Sequence, residues 1–257
     1  MVQVPVDKAA RMLRVLFLAT LLCLPLACTK ASASPGTLPY NPEQGGKGAP
    51  VIPEPMLFDM IRPLGAVKGE LEANVLFVGS SDGGPLEWAP EVEFALADGL
   101  ALELELPMSG GRVESFKIGA QGAFGTALDG RFIHGVQYLG TIDRGGRWGS
   151  SLLYLAGMRY DSRWSSMTMI GAKARDSLRP GRAVLLANHS LFRDLGETTT
   201  AGLEVNHVGG KDGSWLLVPQ VHQRIGHRAV VQVGAGGEKP RGVRLSRFAS
   251  LRVVGEF

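Results

Sequence analysis

The chain has 257 residues, 45% hydrophobic and 7% aromatic, with 27 Lys and Arg against 24 Asp and Glu. The basic surplus sits in residues 1–33, where Lys8, Arg11, Arg14 and Lys30 face only Asp7. The remainder is neutral, so a pI near 9.0 is no argument for nucleic acid, which needs a clustered basic patch with stacking aromatics.

The chain opens on a basic stretch, an apolar run from Val15 through Leu24 to Ala27, and Ala31-Ser32-Ala33. A basic start, a short apolar centre and an A-x-A site form a secretory signal peptide, expected over residues 1–33 with cleavage near Ala33. The apolar run is shorter than the roughly 20 residues that span a bilayer as a helix. Both cysteines, Cys23 and Cys28, lie in this leader, so its removal leaves no disulfide or thiolate chemistry. The alternative is lipidation at Cys28, since Leu26-Ala27-Cys28 resembles the end of a lipobox, although Pro25 stands where that pattern has an aliphatic residue.

Residues 34–68 carry Pro35, Pro39, Pro42, Pro50, Pro53, Pro55 and Pro63, with Gly45-Gly46 among them. Such a stretch supports neither a helix nor a central strand, and is expected as an extended periplasmic lead-in.

From residue 69 to 257 the pattern changes to segments of about ten residues with alternating polarity, about twelve in all, separated by short clusters of Gly, Asp, Ser and Arg. They run approximately over 70–80, 87–97, 100–107, 112–124, 131–142, 150–160, 163–173, 182–192, 198–208, 214–224, 227–236 and 244–257. The clearest hairpin turns at Asp98-Gly99. Because strand side chains alternate between faces, Val92, Phe94, Leu96, Leu100, Leu102, Leu104 and Leu106 share one side. Glu91, Glu93, Glu103 and Glu105 share the other, and four carboxylates together cannot face lipid. Lys117, Arg159, Arg224, Arg228 and Arg252 occupy the polar positions of later strands. The expected lumen is therefore acidic early and basic late, with these nine residues as candidate selectivity determinants.

A soluble β-sandwich could show the same alternation. The aromatics favour a membrane: Trp88, Trp148, Trp164 and Trp215 fall at strand starts and Tyr160 at a strand end, where aromatic girdles meet the interfaces. Phe257 follows alternating Ala249, Leu251 and Val253, like the terminal signal read by barrel-assembly machinery, although Gly255 interrupts it.

The stretch Pro90-Glu91-Val92-Glu93-Phe94 through Ala97-Asp98-Gly99-Leu100-Ala101-Leu102-Glu103-Leu104-Glu105-Leu106-Pro107 resembles a hairpin of the outer-membrane transporter family named after the meta-pathway of phenol degradation. The resemblance implies a barrel and a transport-like activity, and fixes no substrate.

Catalysis and metal binding find little support. In Asn188-His189-Ser190, neighbouring residues point to opposite faces, so His189 and Ser190 cannot share a proton on a regular strand; Asn188 and Ser190 are expected to line the lumen. His134, His207, His222 and His227 show no ligand spacing and are expected at turns or in the lumen. Glycine strings at 209–210 and 234–237 precede no helix and cannot cradle phosphate.

The expectation is an all-β, antiparallel transmembrane barrel of about twelve strands in the bacterial outer membrane, in contact with its lipid and lipopolysaccharide. It is expected to be no enzyme, to use no cofactor, and to act as a passive channel or transporter for an unidentified small solute. The alternatives are a non-conducting structural or binding barrel and a soluble periplasmic β-sandwich lipoprotein.

Overall fold

The computed structural model describes residues 48–174, 176 and 183–257. The expected signal peptide, its cleavage near Ala33 and the lipidation alternative at Cys28 lie outside the described residues, as do most of the positions between Ala174 and Ala183.

The alternating segments form strands β1 (Leu71–Ser80), β2 (Glu87–Ala97), β3 (Leu100–Glu105), the two-residue pair β4 (Met108–Ser109) and β5 (Arg112–Val113), then β6 (Ser115–Ala127), β7 (Phe132–Asp143) and β8 (Trp148–Arg159). They continue as β9 (Trp164–Ala174), β10 (Val184–Asp194), β11 (Thr199–Val208), β12 (Ser214–Ile225), β13 (Ala229–Pro240) and β14 (Ser246–Glu256). Every barrel neighbour is antiparallel, and the sheet closes because β1 pairs with both β2 and β14. The short β4–β5 hairpin rises from one rim beside β2, leaving a closed barrel of twelve strands, as the sequence pattern anticipates. Closure removes the exposed edges that a sheet in lipid could not tolerate.

Side-chain polarity is inverted relative to a soluble sandwich. Val92, Phe94, Leu102, Leu104, Leu152, Tyr154, Ile170, Leu185, Leu203 and Leu217 are all exposed on the outer wall. Glu93, Glu103, Gln121, Gln137, Asn188, Ser190, Glu204, Gln220 and Arg252 are buried inside. An apolar outer band with a polar interior suits a hydrocarbon surround, where apolar surface costs nothing and inward charges must find partners. Trp88, Trp148 and Trp215 share one rim, and Trp164, Tyr160 and Phe257 the other, which also carries both ends of the barrel. Among the described residues no helix is long and apolar enough to cross a membrane.

Turns at the rim of the chain ends are short. Gly99 closes the β2–β3 turn with φ 72°, a left-handed conformation that side chains disfavour. In the β8–β9 turn, Asp161 Oδ1 accepts the backbone N–H of Arg163 at 2.7 Å and of Trp164 at 2.8 Å, and these donors hold its carboxyl below the usual range. A lowered folded pKa means the turn's contribution is complete above the unfolded value of about 3.9 and fades as pH falls through the folded one. Amide exchange at Arg163 and Trp164 is thus expected to accelerate below about pH 4 in the native chain. In Asp161→Asn that acid step should be absent; a step of equal size in both would contradict this account of the turn.

Residues 49–66 depart from expectation. They do not form an extended lead-in outside the barrel but run through its interior. Ile52, Met56, Met60, Ile61, Leu64 and Ala66 are buried. The inner wall is shaped for them: a Cβ at Gly119 would stand 2.6 Å from Ile61 Cδ1, at Gly135 2.8 Å from Leu64 Cδ2, at Gly157 2.5 Å from Ile52 Cδ1 and at Gly234 3.0 Å from Met56 Sδ. These glycines are sockets for the apolar side chains of the inserted segment. Gly157→Leu is expected to fill one socket and weaken docking by about 1–3 kcal/mol, the usual range for overpacking. Limited proteolysis within 48–66 should accelerate by roughly one order of magnitude; unchanged cleavage would show that Ile52 does not depend on that space.

Candidate functional site

Cross-strand register puts like charges face to face. Glu91 lies opposite Glu105 and Glu93 opposite Glu103, an arrangement that is destabilising unless cations are interposed. Two arginines and one lysine fill that role. Arg252 reaches across the closed seam, Nη1 lying 3.2 Å from Glu54 and Nη2 3.5 Å from Glu93 and 3.8 Å from Glu91. Arg62, on the inserted segment, lies 3.1 Å from Glu70, 3.2 Å from Glu72 and 4.0 Å from Glu93. The Lys117 ammonium contacts both Glu105 and Asp59. The acidic early strands and the basic last strand thus meet because β14 closes onto β1.

The inserted segment is also fastened through its backbone. Both carboxylate oxygens of Glu204 take part: Oε2 accepts Met56 N–H at 2.8 Å and Leu57 N–H at 3.1 Å, and Oε1 accepts Phe58 N–H at 2.7 Å. Gln137 accepts Ile61 N–H at 3.0 Å and donates to Asp59 O at 2.7 Å, while Gln121 donates to Arg62 O at 2.7 Å. Near the rim of the chain ends, Arg159 donates to Val51 O at 2.8 Å and pairs with Asp194 at 3.1 Å. Backbone groups withdrawn from water must find partners, and here the wall's side chains supply them. The segment leaves along the β2–β3 turn, where Asp98 accepts Lys68 N–H at 2.9 Å and Gly99 N–H donates to Ala66 O at 2.8 Å.

Of the nine residues expected in the lumen, Glu93, Glu103, Glu105 and Arg252 are buried on the inner wall, Glu91, Lys117 and Arg159 are half-buried there, and Arg224 lies near the rim, 3.6 Å from Glu256. Arg228 is a correction. It falls in the exposed turn after Ile225, because β13 begins only at Ala229, so it does not line the interior. Asn188 and Ser190 do face inward, in a network with Asn206. His189 points outward to Thr168 Oγ1 at 2.9 Å. Two histidines depart from the turn-or-lumen expectation: His134 bonds Tyr154 OH at 3.1 Å among outer-wall aromatics, and His207 packs on Trp215 with ring centroids 4.2 Å apart.

Glu54, Asp59, Arg62, Glu72, Gln137 and Glu204 were not singled out by the sequence pattern. For the first three, the signal lay in apolar residues interleaved with the prolines, Val51-Ile52, Met56-Leu57-Phe58 and Met60-Ile61, which a solvated linker does not need.

The barrel is similar to solved outer-membrane barrels. A KdgM porin superposes with a TM-score of 0.58 at 9% identity, covering 72% of this chain and 99% of that one. A NanC porin gives 0.56 at 8% identity, covering 73% and 100%. The COG4313 outer membrane channel from Pseudomonas putida F1 gives 0.57 at 13% identity, covering 76% and 97%.

The fold is that of an outer-membrane porin barrel.

No family model matches the chain and no curated protein matches it. The phenol meta-pathway family expected from the Pro90–Pro107 hairpin is not shown by these comparisons; the porin-like likeness rests on the barrel as a whole.

Proposed function

We propose that the chain is an outer-membrane channel for small solutes whose path is closed by its own residues 49–66. The observation that carries this reading is the combination of a closed barrel, apolar outside and polar inside, with an interior segment held by side chains of several different strands. Glu204, Gln121, Gln137, Arg159 and Arg252 would have little reason to converge on one chain segment if the lumen were simply a packed core.

With the segment displaced, the wall keeps Glu72, Glu91, Glu93, Glu103, Glu105 and Glu204 against Lys117, Arg159, Arg224 and Arg252. This excess of carboxylates favours cations and neutral solutes. A related KdgM porin structure is described in complex with disordered oligogalacturonate, a polyanion; the acidic wall of the present barrel disfavours such a solute. Phe257, exposed at the terminal rim, is assigned to recognition by barrel-assembly machinery, and the outer band to contact with lipid and lipopolysaccharide.

The filled interior also favours a second reading, a barrel that conducts nothing and serves as a structural or binding element. Reversal potentials across a salt gradient in planar bilayers separate the two. The channel reading requires discrete openings with cation preference; absence of any opening, even with the segment loosened, supports the structural barrel.

A further inference from the structure

Two clusters each combine one carboxylate of the inserted segment with two buried ones from the wall: buried Glu54 with Glu72 and Glu93, and half-buried Asp59 with Glu103 and Glu105. In each, the three groups offer oxygens within 4.8 Å of one another. The first is crossed by Arg62 and Arg252, which already supply two positive charges. In the second, the cation paired with it among the described residues is the Lys117 ammonium, on Asp59 Oδ2 and Glu105 Oε2.

Glu103 distinguishes this second cluster. It is 1% exposed, and neither of its carboxylate oxygens has a hydrogen-bond partner among the described residues. A buried carboxylate without a donor is costly, and it points at the same small volume as Asp59 and Glu105. With all three carboxylates ionised, the ammonium would leave two negative charges, the charge a single divalent cation cancels. A cavity of about 90 Å³, lined by Asp59, Glu105, Lys117, Glu91 and Arg252, borders the cluster on the side away from Glu103 and has room for water ligands. The donors are all oxygens, the set preferred by hard cations, and their spacing fits oxygens around one ion at about 2.3–2.6 Å from its centre.

We infer that Asp59, Glu103 and Glu105 bind one hard divalent cation, of the calcium or magnesium class, which ties the inserted segment to strand β3. The binding site stands on its own geometry; its role as a latch rests on the channel reading.

Purified full-length barrel in detergent, stripped with chelator, should bind one Mn²⁺, seen by loss of the free-ion electron paramagnetic resonance signal, and Ca²⁺ should displace it. Glu103→Gln is expected to weaken binding at least tenfold, while Glu114→Gln, on an exposed loop, should leave it unchanged. If Glu103→Gln fails to assemble, Asp59→Asn gives the same reading, since it alters the inserted segment and not the wall. No Mn²⁺ uptake at millimolar concentration, or equal affinity in these variants and the native chain, overturns the site. A native barrel that binds Mn²⁺ but never conducts leaves the site standing and removes the channel. Openings in a barrel that binds no Mn²⁺ do the reverse.

Discussion

Glu204→Ala is expected to turn a closed barrel into one with frequent openings. The carboxylate is the acceptor for three consecutive backbone N–H groups of the inserted segment, and also for Asn206 Nδ2 at 2.7 Å. Hydrogen bonds to a charged acceptor are worth about 1.5–3 kcal/mol each, and the three donors are buried or half-buried, so their loss cannot be fully compensated by water. A net weakening of segment docking by about 3–5 kcal/mol is expected, in line with breaking one partner of a buried charged set. That corresponds to a rise in the undocked population of roughly two to four orders of magnitude. Glu204→Gln keeps one acceptor oxygen and should fall between the two. Single-channel recording reads this directly as open probability. Equal closed times in all three proteins would mean that the segment is not held by this residue, or that its release does not open a path.

Arg252→Ala is the second large effect, and it falls on stability. Its guanidinium sits within 4.0 Å of Glu54, Glu91 and Glu93, and so joins the last strand, strand β2 and the inserted segment. Removing it leaves Glu93 and Glu54 buried with Arg62 as the remaining neighbouring cation. Destabilisation of about 3–5 kcal/mol is expected, because an uncompensated buried carboxylate costs more than the pair contributed. The check is heat-modifiable migration: the temperature at which the folded band converts to the unfolded one should drop substantially in Arg252→Ala. Adding Glu54→Gln to Arg252→Ala should recover part of the loss, since it removes one orphaned charge. A loss in the double variant equal to the sum of those in Arg252→Ala and Glu54→Gln would show that Glu54 and Arg252 are not energetically coupled.

The two variants probe different levels of the same design. Glu204 lies on β11 and fixes where the segment sits; Arg252 lies on β14 and makes the acidic hairpin tolerable at all. A barrel wall with Glu91 facing Glu105 and Glu93 facing Glu103 is destabilised by like charges, so closure of β14 onto β1 and docking of Arg62 belong to folding as much as to the proposed gating.

Much of the barrel was legible because period-two alternation is a local property. The turn at Asp98-Gly99, the glutamates on one face of β2 and β3, and the tryptophans at strand starts each follow from a few neighbouring residues. Strand bounds shift by a few positions where the pattern is weak, as at β6, whose start at Ser115 follows the short β4–β5 hairpin. Arg228 was misplaced for the same reason, since alternation continues by one residue into a turn that ends the face.

The site was legible only in part because ion pairing is not local. Arg252 could be assigned to the interior, but its meeting with Glu91 and Glu93 depends on which strand closes the sheet. The inserted segment was missed for a physical reason: prolines exclude regular hydrogen bonding, and this segment takes its partners from Glu204, Gln121 and Gln137 on distant strands instead. An extended chain in water and one threaded through a polar lumen carry the same prolines; only the buried methionines and isoleucines differ.

The central claim, a channel closed by its own interior segment, is tested most directly by replacing residues 49–66 with a flexible Gly/Ser stretch of equal length and recording in planar bilayers. The native chain should stay closed with rare openings, and the replaced chain should show a sustained, cation-preferring conductance. Equal conductance in both, or silence in both, would contradict the account.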